Sequence, residues 1–106
     1  MLDTTPLTAA VDQFADRLRA APQSRLQRGA AAAALELARE LSGWAQRLEE
    51  PGAGAGGVRE MPDAGMFAAA DQLTVAGRDL GVVLRDADDL VRAVEMVEAG
   101  MKRAGV

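Results

Sequence analysis

Apolar and small residues recur along residues 63 to 103 at alternating steps of three and four. The members of this pattern are Met66, Ala69, Leu73, Ala76, Leu80, Val83, Ala87, Leu90, Val94, Val97 and Met101. A helix brings positions at this spacing onto one face, so the pattern predicts one continuous helix that other helices cover along one side. At about 1.5 Å per residue, such a helix would be a rod about 60 Å long.

The first half of the chain predicts two helical segments, over about 5–20 and about 23–50, because the apolar residues of each fall on one helical stripe. Pro22 lies between them. Proline lacks a backbone donor and clashes with the preceding turn, so it either ends the first helix or kinks one long helix. Leu26 resumes the stripe in helical phase with Leu18, which favours a kink or a very tight turn. Both alternatives stay open.

Residues 51–62 are rich in glycine and proline and carry no apolar periodicity, which predicts a mobile connection. The arms on either side are nearly equal in length, so we expect them to fold together as a long antiparallel hairpin. In that register Trp44 lies beside Ala69 and Ala70. The sequence therefore predicts one all-α domain over residues 1–106.

The apolar stripe of the last predicted helix is wider than a two-stranded coiled coil requires. This width indicates contact with more than one neighbouring helix. Two architectures provide that contact: a hairpin that dimerises into an antiparallel four-helix bundle, which we favour, and a monomeric three-helix bundle. The residues assigned to the core and self-association seam are Leu73, Leu80, Val83, Leu84, Leu90, Val91, Val94 and Val97.

Four apolar residues of the last predicted helix fall off this seam and form a candidate partner strip: Phe67, Val75, Val82 and Met96. Apolar side chains grouped on an outward face can dock a protein partner or build a higher assembly. Single exposed apolar residues are also normal on soluble proteins. Both interpretations stay open.

The composition favours closely packed helices in a soluble protein. Apolar residues make up 49% of the chain but aromatic residues only 3%, so much of the core must be alanine. The net charge of −4 is the opposite of that expected for a nucleic-acid binder. No apolar run approaches the length of a membrane span, and the first residues do not resemble a cleaved signal peptide. We expect a cytoplasmic protein, with uncleaved export left open. An arginine-rich, lysine-poor composition is typical of GC-rich bacterial coding.

The chain contains no cysteine and no histidine. This composition excludes thiolate nucleophiles, cysteine zinc sites and the most common general base. The densest acidic cluster, Asp86, Asp88 and Asp89, falls inside the predicted helix, where pairing with Arg85 and Arg92 would make a solvated face. We therefore expect no enzymatic activity, no cofactor and no metal.

Two classes of function remain: a self-associating helical interaction or assembly module, and a small export-linked helical hairpin. With 106 residues, two helical arms and no cysteine, the chain loosely resembles the WXG100 proteins of type VII secretion. That family carries Trp-x-Gly in its turn, whereas Gly43, Trp44 and Ala45 fall inside a predicted helix here, so no residue role is carried over. A helix-turn-helix regulator would need a short helix pair and a basic recognition face, and the sequence shows neither.

Overall fold

The computed structural model describes residues 2–50 and 59–106, and it confirms an all-α fold for them. The elements in chain order are α1 (Thr5–Ala20), α2 (Gln23–Arg25), a kinked segment (Leu26–Ala30), α3 (Ala31–Glu49), a 3₁₀ turn (Met66–Ala68), α4 (Ala69–Val83) and α5 (Ala87–Ala104). The helix α1 has the bounds that the sequence predicts for the first helix, residues 5–20. Four helices, α1, α3, α4 and α5, pack together.

Pro22 ends α1 and does not kink a longer helix. Ala21 and Pro22 are both extended, with ψ angles of 142° and 153°, and α2 begins directly after them. A second irregularity follows at Gly29, whose φ of 146° lies in a region that other residues rarely adopt. The segment predicted as one helix over 23–50 therefore contains a bend that joins α2 to α3.

The single helix predicted over 63–103 is wrong, because Leu84 leaves the helical conformation with a ψ of 135° and ends α4. Asp86 then caps α5 by accepting a hydrogen bond from the backbone N–H of Asp88, at 2.7 Å. Asp88 and Asp89 occupy the first turn of α5, where the helix dipole favours negative charge. The acidic cluster is thus a helix start and not the middle of a solvated helix face.

The helices α1 and α4 run antiparallel. At one end Arg19 of α1 forms an ion pair with Asp71 of α4, at 2.9 Å between Nη2 and Oδ1. At the other end the backbone of Gly81 faces Thr4, which precedes α1. The start of α4 therefore lies beside the end of α1.

The helices α3 and α5 also run antiparallel. Leu37 packs over Gly100, and the Arg92 guanidinium lies 5.5 Å from the centre of the Trp44 ring. Each helix has two neighbours in this arrangement, because α1 and α3 both pack on α4 and on α5. The consecutive helices α4 and α5 consequently occupy opposite corners of the bundle.

Residues 59–62 run back along α3 and set the direction of α4. The Gln46 side chain donates to the carbonyl of Arg59 and accepts from its N–H, at 2.8 and 2.7 Å. About two helical turns earlier on α3, Arg39 Nε donates to the carbonyl of Met61 at 2.8 Å. These contacts hold the described part of the predicted mobile loop against α3, whereas residues 51–58 lie outside the described residues.

The helix α4 therefore begins beside the start of α3, where Ala31 and Ala69 line one groove. The two helices run in the same direction, so the predicted hairpin and its pairing of Trp44 with Ala69 and Ala70 are wrong. If α1 points up, then α3 and α4 point down and α5 points up. The molecule measures 41 × 29 × 17 Å, which is too short for a rod of about 60 Å.

The core consists of small side chains that let the helices approach closely. Of 22 buried apolar residues among those described, ten are alanine. One close approach joins α1 to α4, where a Cβ added to Gly77 would stand only 2.7 Å from Val11 Cγ2. Val11 is β-branched and stiff within its helix, so it cannot rotate away at low cost.

We expect Gly77→Ala to lower the free energy of unfolding by about 1 kcal/mol. Overpacking costs about 1–3 kcal/mol and exceeds the roughly 1 kcal/mol by which alanine favours a helix over glycine. Gly81→Ala is the matched control, because its Cβ would meet Thr4 Oγ1 at an ordinary 3.6 Å. This control should stabilise the protein by about 0.5–1 kcal/mol. Urea denaturation measures both effects, and equal effects would contradict the close contact.

Candidate interaction surface

The predicted seam residues lie mostly inside one chain. Buried positions are Leu73, Leu80, Leu84, Leu90 and Val97, half-buried positions are Val83 and Val94, and Val91 is 56% exposed. The chain's own helices cover most of this seam. It forms the core of a single protomer and leaves little open surface for a second copy.

The candidate partner strip divides into two places. Phe67, Val75 and Val82 are 72%, 51% and 74% exposed, and all three lie at the outer side of α4 or in the turn that begins it. Met96 is half-buried in α5 and lines a groove with Trp44. The structure therefore brings together three of the four predicted residues and separates Met96 from them.

Two charged residues complete this outer face. We define the α4 strip as Phe67, Asp71, Val75, Arg78 and Val82, which follow one another at steps of four, four, three and four. Such steps keep side chains on one side of a helix. Between the first and last residue the strip is about 22 Å long, given a rise of about 1.5 Å per residue. The buried α4 residues face the opposite direction.

The two charges of the strip have different surroundings. Asp71 accepts a hydrogen bond from Arg19 of α1, and this bond raises the pKa of Arg19 above its usual value. Arg19 also lies 3.5 Å from Asp16. Among the described residues the ion pairs involve Arg19 and Arg39, so Arg78 has no carboxylate partner there.

An open groove of about 800 Å³ adjoins the Val82 end of the strip, between α4 and the start of α1. Its lining residues are Leu2, Thr4, Thr8, Arg78, Gly81, Val82, Leu84 and Arg85. Arg85 folds over the end of α4 and donates to the carbonyls of Val82 and Leu84, at 3.0 and 3.3 Å. The groove thus combines apolar side chains with two arginines in its lining.

A second cluster lies on another side of the bundle, between α3 and α5. Arg92 stacks over Trp44, and Met96, Arg39 and Arg47 line the same groove. Sequence reasoning missed the contact between Trp44 and Arg92, because it depends on the register of two helices far apart in the chain. Trp44 and its neighbours Gly43 and Ala45 lie within α3 and not in a turn.

The fold and this surface define the chain as an all-helical four-helix bundle with an exposed, partly apolar helix face. No protein-family model, curated protein sequence or solved structure matches the chain. None of the helices described here has the length and apolarity needed to cross a membrane. Over residues 2–50 and 59–106, no cluster of three acidic, histidine or cysteine side chains could hold a metal ion.

We expect Arg92→Gln to lower the free energy of unfolding by about 0.5–1 kcal/mol, the range for an exposed cation–π contact. The same change should alter the fluorescence of Trp44, which is the only tryptophan of the chain. Arg78→Gln is the matched control, because Arg78 is also exposed on a helix but lines a different groove from Trp44. The measurement is tryptophan emission and urea denaturation at low micromolar concentration. An unchanged spectrum in Arg92→Gln would contradict the contact.

Proposed function

We propose that this chain is a non-enzymatic helical interaction module that associates with a second copy of itself. The observation that carries the proposal is the α4 strip, in which Phe67, Val75 and Val82 are each more than half exposed on one helix face. Removing apolar surface from water contributes about 25 cal/mol per Å². A partner that covers the strip would gain this contribution.

The rigidity of α4 supports the same function. The helix is held by α1 on one flank and by α3 on the other. Its outer side chains therefore keep a fixed spacing, and little backbone entropy is lost when they are covered. Because this surface is already rigid before binding, it suits association with a partner better than a role as a flexible linker.

The proposed dimer joins two complete bundles. Leu73, Leu80 and Val97 are fully covered within one protomer, so a second copy is not required to complete the core. Association instead adds a contact on the outside of α4. This contact differs from the dimer of two hairpins that the sequence favoured.

The size of the strip sets the expected strength of the dimer. A helix face about 22 Å long and about 10 Å wide has an area of about 200 Å², well below the roughly 800 Å² per partner of a standard stable interface. The groove beside Val82 can enlarge the contact, but the interface stays small. We therefore expect a weak, reversible dimer whose population depends on protein concentration.

Val75→Ser is expected to weaken dimerisation about tenfold, because two valine side chains leave the contact and each, being about half covered already in its own protomer, contributes about 0.75 kcal/mol. Val91→Ser is the matched control, with the same substitution at a valine of similar exposure on α5. Sedimentation velocity over a range of concentrations measures the dissociation constants of both variants and of the wild type.

Three results bear on the proposal. Concentration-dependent dimerisation that Val75→Ser weakens and Val91→Ser leaves unchanged is the expected outcome. A wild-type chain that stays monomeric up to millimolar concentration would overturn the proposal. A dimer weakened only by Val91→Ser would move the association surface to α5 and overturn the assignment to α4.

A further inference from the structure

We infer that two copies pack their α4 strips against each other in antiparallel fashion, about a two-fold axis that passes beside Val75. In this arrangement Phe67 of each copy enters the groove beside Val82 of the other. The inference rests on the proposed self-association and specifies its geometry. The occupant of the strip is thus a second copy of this chain.

The side chains of the strip are complementary to those of a second strip that runs in the opposite direction. From Phe67 to Val82 the order is aromatic, acidic, apolar, basic and apolar. Asp71 precedes Val75 by four residues and Arg78 follows it by three, so an antiparallel pair brings each acid opposite a base within one rise of about 1.5 Å. One two-fold contact therefore contains two Asp–Arg pairs with Val75 meeting its own copy between them.

A parallel pair would lose this complementarity. It would place Asp71 opposite Asp71 and Arg78 opposite Arg78, and like charges in an interface disfavour that partner orientation. Arg78 also has no carboxylate partner among the described residues of its own chain. The charges of the strip therefore select the antiparallel orientation.

The groove lies at the correct distance and on the correct flank to receive Phe67. Phe67 and Val82 lie eight and seven residues from Val75, about 12 and 10.5 Å along the helix, so the axis brings them together.

Phe67 precedes Asp71 by one turn, and Asp71 contacts α1, so Phe67 projects on the α1 flank. A two-fold axis that reverses α4 keeps the α1 flanks of both copies on the same side. The groove beside Val82 is on that flank as well, since Thr4 and Thr8 line it.

The chemistry of the groove suits an aromatic side chain. The residues that line it include the apolar Leu2, Val82 and Leu84 and the basic Arg78 and Arg85. A guanidinium over an aromatic ring is favourable, and a single aromatic residue seated in a pocket often dominates a small interface. Phe67 is 72% exposed in the isolated chain and gains the most cover from this contact.

The absence of cysteine from the chain provides a direct test of the axis. A disulfide requires a Cα–Cα distance of about 4.4–6.8 Å, which only residues next to a two-fold axis reach with their own copy. We expect Val75→Cys to give a disulfide-linked dimer under mild oxidation in high yield. Val82→Cys, the control on the same strip, should stay largely reduced, because antiparallel pairing separates it from its own copy by about 21 Å along the helix, whereas a parallel pair would bring the two copies within reach. Equal cross-linking of the two variants would overturn the inference.

A charge exchange tests the register independently. Asp71→Arg makes both charges of the strip positive, and Arg78→Asp makes both negative. We expect each variant alone to self-associate at least about tenfold more weakly than the wild type, because each of its dimers contains two like-charged contacts. An equimolar mixture of the two variants should form a heterodimer, and Asp71→Arg combined with Arg78→Asp should restore the homodimer.

The outcomes separate this inference from the proposed function. A wild-type chain that is monomeric at every concentration overturns both. A wild-type dimer in which neither the mixture nor the double variant recovers association leaves self-association standing and overturns the antiparallel pairing. Since Asp71→Arg also breaks the contact with Arg19, thermal unfolding of each charge variant is measured alongside. The comparison of Val75→Cys with Val82→Cys leaves both charges in place and decides the axis whatever the charge variants do to the fold.

Discussion

The bundle depends on the close approach of a branched side chain on one helix to a glycine on another. Val11 of α1 packs over Gly77 of α4, and Leu37 of α3 packs over Gly100 of α5. Both antiparallel pairs use this contact, which brings the helix backbones near enough for many weak dispersion contacts to add up. Because the helices approach so closely, alanine is large enough to fill much of the remaining core, and the bundle is thin, with a shortest dimension of 17 Å.

A thin core links stability to association. Alanine buries little apolar area, so each residue of the core contributes less than a leucine or phenylalanine would. Meanwhile Phe67, Val75 and Val82, which are larger, stay on the outside of α4. A second copy that binds only the folded chain would stabilise it by mass action, more strongly as the protein concentration rises. The distribution of large and small side chains thus couples folding of the bundle to its proposed dimerisation.

The sequence predicted the helical faces well and the connections poorly. Pro22 ended the first helix because its effect on the backbone is local. The break before α5 was missed because apolar periodicity continued in phase across it, although Asp86 with Asp89 three residues later is a helix-start signal that needs neither glycine nor proline. The direction of α4 was missed because it depends on polar contacts such as that between Gln46 and Arg59, which leave no periodic pattern.

The break at Asp86 also explains why the partner strip was only partly predicted. In one continuous helix Met96 shares an outward face with Val75 and Val82. Once the chain bends at Leu84, α5 has its own axis and its own neighbours, and Met96 turns toward Trp44. The same bend carries α5 to the corner of the bundle opposite α4. Among the described residues no helix then covers the outside of α4, so the break that removes one residue from the strip also leaves the other three exposed.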